Sequence, residues 1–235
     1  MSFDLILEVV LSLIAVFMAI VLHEVSHGYV AARLGDPTAR DRGRLTLNPL
    51  AHVDPVGTLL VPLSLVLLRV LFHSAVPIFG WAKPVPINPG NFRNPLRGML
   101  YVAIAGPATN IVLALAAAGL GQAVFLAVPN GGLHRIGGFG GNLIEAVFLL
   151  LAMFVLYNLI LAVFNLIPIP PLDGSRVLMY FLPAQGRRVL VSLERYGFLI
   201  LIALIYLGVL TPVFGGIQRL WAVLLGPEWR TLLLF

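Results

Sequence analysis

Long apolar runs dominate this chain, and the first of them extends from about Leu5 to Leu34. Two further runs, Gly98–Val128 and Asn142–Ile167, contain few charged residues, and a fourth covers about Val189–Leu210. A helix needs about 20 apolar residues to cross a bilayer core that is about 30 Å thick. The runs therefore predict an all-α polytopic membrane protein with about four to six transmembrane helices.

The composition leaves room for little besides these helices. Of the 235 residues, 60% are hydrophobic and only 11% are charged, and the polar stretches between the runs are too short to fold separately. We therefore expect residues 1–235 to form a single integral-membrane domain. Its three-helix core would comprise 5–34, 98–128 and 142–182, followed by a C-terminal helical region at 187–235.

A net charge of +5 raises the question of nucleic-acid binding. The arginines lie mainly in loops between apolar runs, where anionic lipid and the preference of basic residues for the inner membrane surface explain them. We therefore expect the lipid bilayer as a partner and no nucleic acid. Cysteine is absent, so any metal site must be built from nitrogen and oxygen ligands.

Two histidines and a glutamate, His23, Glu24 and His27, interrupt the first run within VLHEVSHGYV. Residues four apart lie nearly on one face of a helix, so the two imidazoles could bind one tetrahedral Zn²⁺. Glu24 falls about 100° away around the helix and could hold a water molecule on that metal. Ionisable residues at membrane depth cost about 3 kcal/mol each and usually mark a functional site. Residues that only face a water cavity or hydrogen-bond across a bundle would not require this spacing.

A catalytic zinc site needs a third protein ligand and leaves its fourth position to water. Asp173 is the strongest acidic candidate, because it follows IPIPPL at the end of a spanning run and precedes Gly174. A backbone broken by proline is tolerated at membrane depth where it lines a site. Alternatively, Asp173 caps the helix that begins at SRVLMYF, and the two roles are compatible.

The motifs HEVSH, GPATN and NLIPIPPLDG occur in this order in successive apolar runs. Together they resemble the site-2 protease family of intramembrane zinc metalloproteases, and the resemblance covers about residues 13–177. It implies that His23, His27 and Asp173 bind one zinc ion. It also implies that Glu24 is the general base.

The resemblance extends to two asparagines. Asn165, eight residues before Asp173, would help to hold the substrate or the developing oxyanion. Asn110 and Gly106 match the middle motif, for which the family implies packing near the site, and Asn110 is a further candidate for contact with the substrate or oxyanion. The stretches NPLAHVDPVG and FGWAKPVPINP resemble the small members of the family, which lack PDZ and CBS domains.

On this resemblance, the chain is expected to be a zinc metalloendopeptidase that cleaves membrane-spanning protein substrates within or near their transmembrane segments, in regulated intramembrane proteolysis. A membrane metal transporter is an alternative, but it would need polar residues on both sides of the metal. The outer halves of these helices are almost uniformly apolar. A catalytically inactive binding relative is a second alternative, and the presence of Glu24 argues against it.

The ligands must share one depth, and this requirement sets the topology. If the first helix ends inside at Arg33, Asp173 also lies near the inner surface, and most arginines fall inside while Arg135 lies outside. We therefore expect a multi-pass protein of a prokaryotic plasma membrane, with its active site toward the cytoplasm. The same order of crossings has 56–79 enter and leave the membrane on one side, as a re-entrant hairpin or a pair of short half-spans, unless the number of the other spans differs.

Three further polar residues have weaker claims to a role at the site. His52 and His73 are isolated histidines, and such residues more often form hydrogen bonds than bind a metal. Asn158 lies seven residues before Asn165, on the same helix face. It could line the cavity or form an interhelical hydrogen bond.

Overall fold

Helices are the regular secondary structure in the part of the chain that the computed structural model describes, which is residues 3–61, 63, 64, 67, 82–127 and 139–226. The α-helices in these ranges are α1 (Phe3–Arg33), α2 (Thr38–Asp41), α3 (Pro95–Ala127), α4 (Phe139–Asn165), α5 (Asp173–Phe181), α6 (Ala184–Leu193), α7 (Gly197–Tyr206) and α8 (Thr211–Leu225). Short 3-10 helices lie at Pro49–His52, Pro89–Asn91 and Glu194–Tyr196, and a π-helix lies at Pro55–Leu60. The described ranges contain no strand, which confirms the all-α prediction.

Four stretches of the described chain are long and apolar enough to cross a membrane. They are Val9–Arg33, Pro95–Leu126, Leu143–Asn165 and Ala184–Tyr206. The first three agree with the predicted core helices to within a few residues at most ends. The fourth is composite, because α6, a 3-10 turn and α7 follow one another within it. These spans confirm the polytopic membrane architecture.

Helices α1, α3 and α4 form the core of the bundle. Hydrogen bonds join α3 to α1 at Asn110–Ala19 and at His27–Val102, so these two helices are antiparallel. Since α4 returns alongside α3, the C-terminal ends of α1 and α4 lie at the same edge. Small side chains at the interfaces allow close helix approach in a membrane. The fully or almost fully buried ones include Ala15, Ala19, Ala103, Ala114 and Ala152.

The connection between α1 and α3 leaves and returns at one edge of the core. Phe92, just before α3, packs in a buried cluster with Ala31 of α1 and Val102 of α3. The end of α1 and the start of α3 are therefore neighbours, as the predicted topology requires. The predicted re-entrant segment 56–79 lies mostly outside the described residues, which include its first turns but not its return.

Asp36 ties this connection together beyond the membrane-spanning part of α1. Its carboxylate accepts hydrogen bonds from the backbone and hydroxyl of Thr38, the backbone N–H of Asn88 and the side chain of Asn91. Burial alone would raise the pKa of Asp36, but these hydrogen bonds outweigh it and hold the pKa below its ordinary value. The charged carboxylate thus joins the end of α1 to the segment that precedes α3.

The C-terminal helix α8 packs against the core. The indole Nε1 of Trp221 donates to the carbonyl of Ala152 on α4 at 2.9 Å, and the side chain of Gln122 on α3 donates to the carbonyl of Leu225. With 15 residues, α8 is about 22 Å long, which is shorter than a bilayer core. The tail thus contributes a helix that braces α3 and α4.

Candidate metal centre

The two histidines of the HEVSH motif lie on one face of α1. Their Nε2 atoms are 3.0 Å apart, and the side chains are almost completely buried. This proximity follows from the helical period, because residues four apart are neighbours on a helix surface. The expected pairing of the two imidazoles is therefore present.

Asp173 approaches this pair from a different part of the chain. It begins α5, after the non-helical connection 166–172 that follows α4. Its Oδ2 atom lies 3.2 Å from Nε2 of His23 and 3.3 Å from Nε2 of His27. The N-cap position of α5 is occupied by Leu172, so Asp173 does not occupy the predicted cap position. Its carboxylate faces the two histidines instead.

The hydrogen bonds of the two Nδ1 atoms establish that the Nε2 atoms carry the lone pairs. Nδ1 of His27 lies 2.6 Å from the carbonyl oxygen of Val102, which can only accept, so Nδ1 carries the proton. Nδ1 of His23 lies 2.5 Å from Oδ1 of Asn110. Each histidine therefore presents an Nε2 lone pair to the centre, the arrangement that metal-binding histidines use.

Nε2 of His23, Nε2 of His27 and Oδ2 of Asp173 thus face one another at the centre. All three are hydrogen-bond acceptors, and the described part of the chain places no hydrogen-bond donor between them. Oδ2 of Asp173 is buried and has no hydrogen-bond donor among the described residues. Ligand atoms bound to one tetrahedral zinc ion at ordinary bond lengths lie about 3.3 Å from one another, close to the 3.0–3.3 Å found here. Two imidazoles and a carboxylate are also a ligand set of catalytic zinc sites. The residues therefore fit a zinc ion, and within the described chain they are the group suited to a metal.

Gly106 of the GPATN motif allows α3 to approach this centre. A Cβ atom at this position would lie 2.5 Å from the Cε1 atom of His23 and 2.5 Å from Nε2 of His27. Any side chain here would therefore collide with the imidazoles. The packing role that the sequence resemblance implied for Gly106 has this steric basis.

Glu24 is partly buried on α1 and has a partner outside the triad. Its Oε2 atom accepts a hydrogen bond from the backbone N–H of Val85 at 2.8 Å. Val85 lies in the non-helical segment 82–88, which precedes α3. Gly28 makes this approach possible, since a Cβ there would lie 2.9 Å from the Val85 side chain.

The asparagines occupy different surroundings. Asn165 is the last residue of α4, and its Nδ2 donates to the carbonyl of Leu161 in the same helix. Asn110 is fully buried, and its amide contacts His23, Ala19 and Asn158. Asn158 therefore forms an interhelical hydrogen bond, which was one of its two predicted roles.

Of the other histidines, His52 is buried outside the triad. Its Nε2 donates to the carbonyl of Thr46 at 2.9 Å, which agrees with a hydrogen-bonding role. His73 lies outside the described residues. Sequence reasoning missed the contributions of Val85 and Val102, because both act through backbone atoms that every residue type possesses.

Comparisons with known proteins identify relatives across most of the chain. "Putative zinc metalloprotease YwhC" of Bacillus subtilis is 34% identical over 90% of this chain and 84% of its own length. "Putative zinc metalloprotease Rip2" of Mycolicibacterium smegmatis is 30% identical over 80% of this chain and 63% of its own length. Its Mycobacterium tuberculosis counterpart is 27% identical over 85% of this chain and 68% of its own length.

The family model described as Peptidase family M50 matches residues 131–208, which include Asn165 and Asp173. No solved structure matches the chain significantly. The similarity to the Bacillus subtilis protein, by contrast, covers most of both chains. On this similarity, the chain belongs to Peptidase family M50, as a multi-pass membrane metallopeptidase.

Proposed function

We propose that this protein is an intramembrane zinc metalloendopeptidase of the site-2 protease type, which hydrolyses peptide bonds within or near the transmembrane segments of membrane proteins. The observation that carries the proposal is the convergence of three ligand atoms, from the buried His23 and His27 of a membrane-spanning helix and from the partly buried Asp173. His23 lies ten residues before the end of α1, or about 15 Å along the helix. A site at that depth is suited to a substrate that lies in the membrane.

In the proposed mechanism, His23, His27 and Asp173 hold one zinc ion. When bound, zinc supplies Lewis acidity, which polarises a peptide carbonyl and makes a water molecule more acidic. Glu24 takes a proton from the attacking water and returns it to the nitrogen of the leaving amine. Asn165 is proposed to hold the substrate or the developing oxyanion from the end of α4.

A peptide bond in a transmembrane helix is protected by the hydrogen bonds of that helix, so the substrate must unwind locally. The segment 82–88 is suited to receive the unwound chain, because it is non-helical and reaches the proposed general base through Val85. Pairing of an extended peptide with this segment would use mainly its carbonyl groups, because Pro84 and Pro86 lack an N–H. The N–H groups of Lys83, Val85 and Asn88 already donate to His52, Glu24 and Asp36. The proposed substrates are therefore single-span membrane proteins that unwind easily.

The proposed location is a prokaryotic plasma membrane, with the metal site toward the cytoplasm. The edge at which α1 ends also carries the basic residues that immediately precede and begin α3. Basic residues in short loops prefer the cytoplasmic side. Those at this edge include Arg33, Arg40, Arg42, Arg93 and Arg97.

The proposal is tested with purified wild type and Glu24→Gln in liposomes that contain candidate single-span substrates. We expect Glu24→Gln to keep one zinc ion per chain and to lose cleavage by at least about 100-fold, a typical contribution of a general base. Glu145→Gln, an exposed carboxylate on α4, is the matched control and should cleave normally. Wild-type cleavage rates in Glu24→Gln would refute the assigned mechanism. Zinc flux across the liposomes without cleavage would indicate a transporter instead.

A further inference from the structure

Two fully buried asparagines, Asn110 on α3 and Asn158 on α4, form a chain of hydrogen bonds that ends at the metal centre. Nδ2 of Asn158 donates to the carbonyl of Phe154 at 2.7 Å. Nδ2 of Asn110 donates to Oδ1 of Asn158, also at 2.7 Å, while Oδ1 of Asn110 lies 2.5 Å from Nδ1 of His23. The chain thus extends from a backbone carbonyl on α4 to a histidine on α1.

The direction of every hydrogen bond in this series follows from the carbonyl of Phe154, at which the series begins. A carbonyl can only accept, so Asn158 must turn its Nδ2 toward Phe154 and its Oδ1 toward Asn110. Asn110 must then present Nδ2 to Asn158 and Oδ1 to His23. An oxygen at that position requires a proton on Nδ1 of His23, and the lone pair is thereby placed on Nε2.

A second backbone carbonyl supports the same orientation of Asn110. Nδ2 of Asn110 also lies 3.3 Å from the carbonyl oxygen of Ala19 on α1, one helical turn before His23. Both N–H groups of the amide are therefore directed at acceptors, and its oxygen is directed at the histidine. The hydrogen bond that Asn110 donates to Asn158 is shorter than the one it donates to Ala19, so Asn158 is the stronger constraint on the amide.

We propose that Asn158 is a positioning residue for the metal site, which acts through Asn110 to hold His23 in the tautomer and ring orientation that bind zinc. The proposal rests on the zinc site of the proposed function. The proposal also assigns a role to Asn110, which is to orient the metal ligand His23. Because its amide oxygen and nitrogen are both hydrogen-bonded within the protein, we do not assign it a contact with the substrate. A pair of buried amides in apolar helices is costly unless it is hydrogen-bonded, and here each amide oxygen and nitrogen has a partner.

The test measures zinc affinity and stability separately on the purified full chain in detergent. Asn158→Leu removes the acceptor for Asn110 and keeps a branched side chain, although a larger one. Asn158→Ala is the second variant, used if leucine is not accommodated. Asn158→Asp is the conservative variant, since a buried aspartic acid is neutral and has the same order of donor and acceptor. Gln122→Leu is the matched control, because it removes a different interhelical amide from α3, about 18 Å along the helix from Asn110.

We expect Asn158→Leu to bind zinc about 10- to 100-fold more weakly in competition with a chelator, the usual effect of losing an outer-shell partner. Asn158→Asp should stay within about threefold of wild type, and Gln122→Leu should do so even where its metal-free melting temperature falls. The inference is overturned if Asn158→Leu binds zinc like wild type, or if Gln122→Leu weakens zinc binding equally. It is also overturned if Asn158→Asp binds zinc as weakly as Asn158→Leu. A wild type that binds no zinc would instead refute the proposed function itself.

Discussion

The backbone N–H of Val85 donates a hydrogen bond to Oε2 of Glu24, and the two residues are 61 positions apart in the sequence. A charge-assisted hydrogen bond of this kind is stronger than one between neutral groups. It restricts where the Glu24 carboxylate can point. It also connects the proposed general base to the segment 82–88, the proposed site of substrate pairing.

This contact predicts that Val85→Pro impairs catalysis without loss of metal. Proline removes the N–H, and the position lies between Pro84 and Pro86 in non-helical backbone. We expect the cleavage rate to fall by about tenfold or more, from the loss of a hydrogen bond to a charged group. Val85→Ala keeps the N–H and should cleave within a fewfold of wild type. Equal rates for the two variants would exclude this role of the backbone.

Replacement of Asp173 by asparagine should affect the zinc-bound form more than the metal-free form. The asparagine side chain lacks the negative charge, so zinc affinity should fall by more than about 100-fold, beyond the effect of an outer-shell partner. In the metal-free protein the same change replaces one of three converging acceptors with an amide that can donate to the histidines. The melting temperature should therefore fall more in the presence of zinc than in the presence of chelator. Unchanged zinc affinity in Asp173→Asn would contradict the metal-ligand role.

The space around Gly106 predicts that Gly106→Ala damages the metal centre. Its Cβ would lie 2.5 Å from both imidazoles, which must then move. Overpacking of this kind costs about 1–3 kcal/mol and should weaken zinc binding as well. Gly119→Ala on the same helix is the control, because a Cβ there meets no atom of the described residues within 4 Å. That variant should be unchanged or more stable by up to about 1 kcal/mol, as measured by unfolding in detergent.

The environment of Asp36 predicts a pH-dependent effect of Asp36→Asn. Hydrogen bonds from Thr38, Asn88 and Asn91 hold the pKa of Asp36 below its ordinary value. A depressed carboxyl pKa contributes stability above the unfolded-state pKa of about 3.9, and this contribution disappears as the pH falls through the folded-state pKa. At pH 7, Asp36→Asn should lower the melting temperature by about 3–10 °C.

The difference between wild type and Asp36→Asn should shrink as the pH is lowered below about 4. Asp41→Asn is the control, since the Asp41 carboxylate is 61% exposed and pairs with the exposed Arg40. It should change the melting temperature little at any pH. A gap between wild type and Asp36→Asn that stays constant from pH 7 to pH 3 would show that the charge of Asp36 is unimportant.

The helical architecture was predictable because the bilayer imposes a length and a composition on every helix that spans it. The three core spans follow directly from this rule, and the composite span 184–206 follows nearly as well. The path of the segment 56–79 could not be predicted from the same rule. Its prolines, Arg69 and His73 interrupt the apolar run, so length and hydropathy no longer specify a path.

The sequence by itself determined the helices, the one-face spacing of His23 and His27 and the motif that carries Asp173, since these depend on local periodicity and residue chemistry. Only the tertiary structure decided how Asp173 meets the histidines and which lone pairs face inward. The same is true of the contact between Val85 and Glu24. These relationships join distant segments through backbone groups and side-chain amides. Such groups occur in every sequence, and their hydrogen-bond partners are decided only when the helices pack.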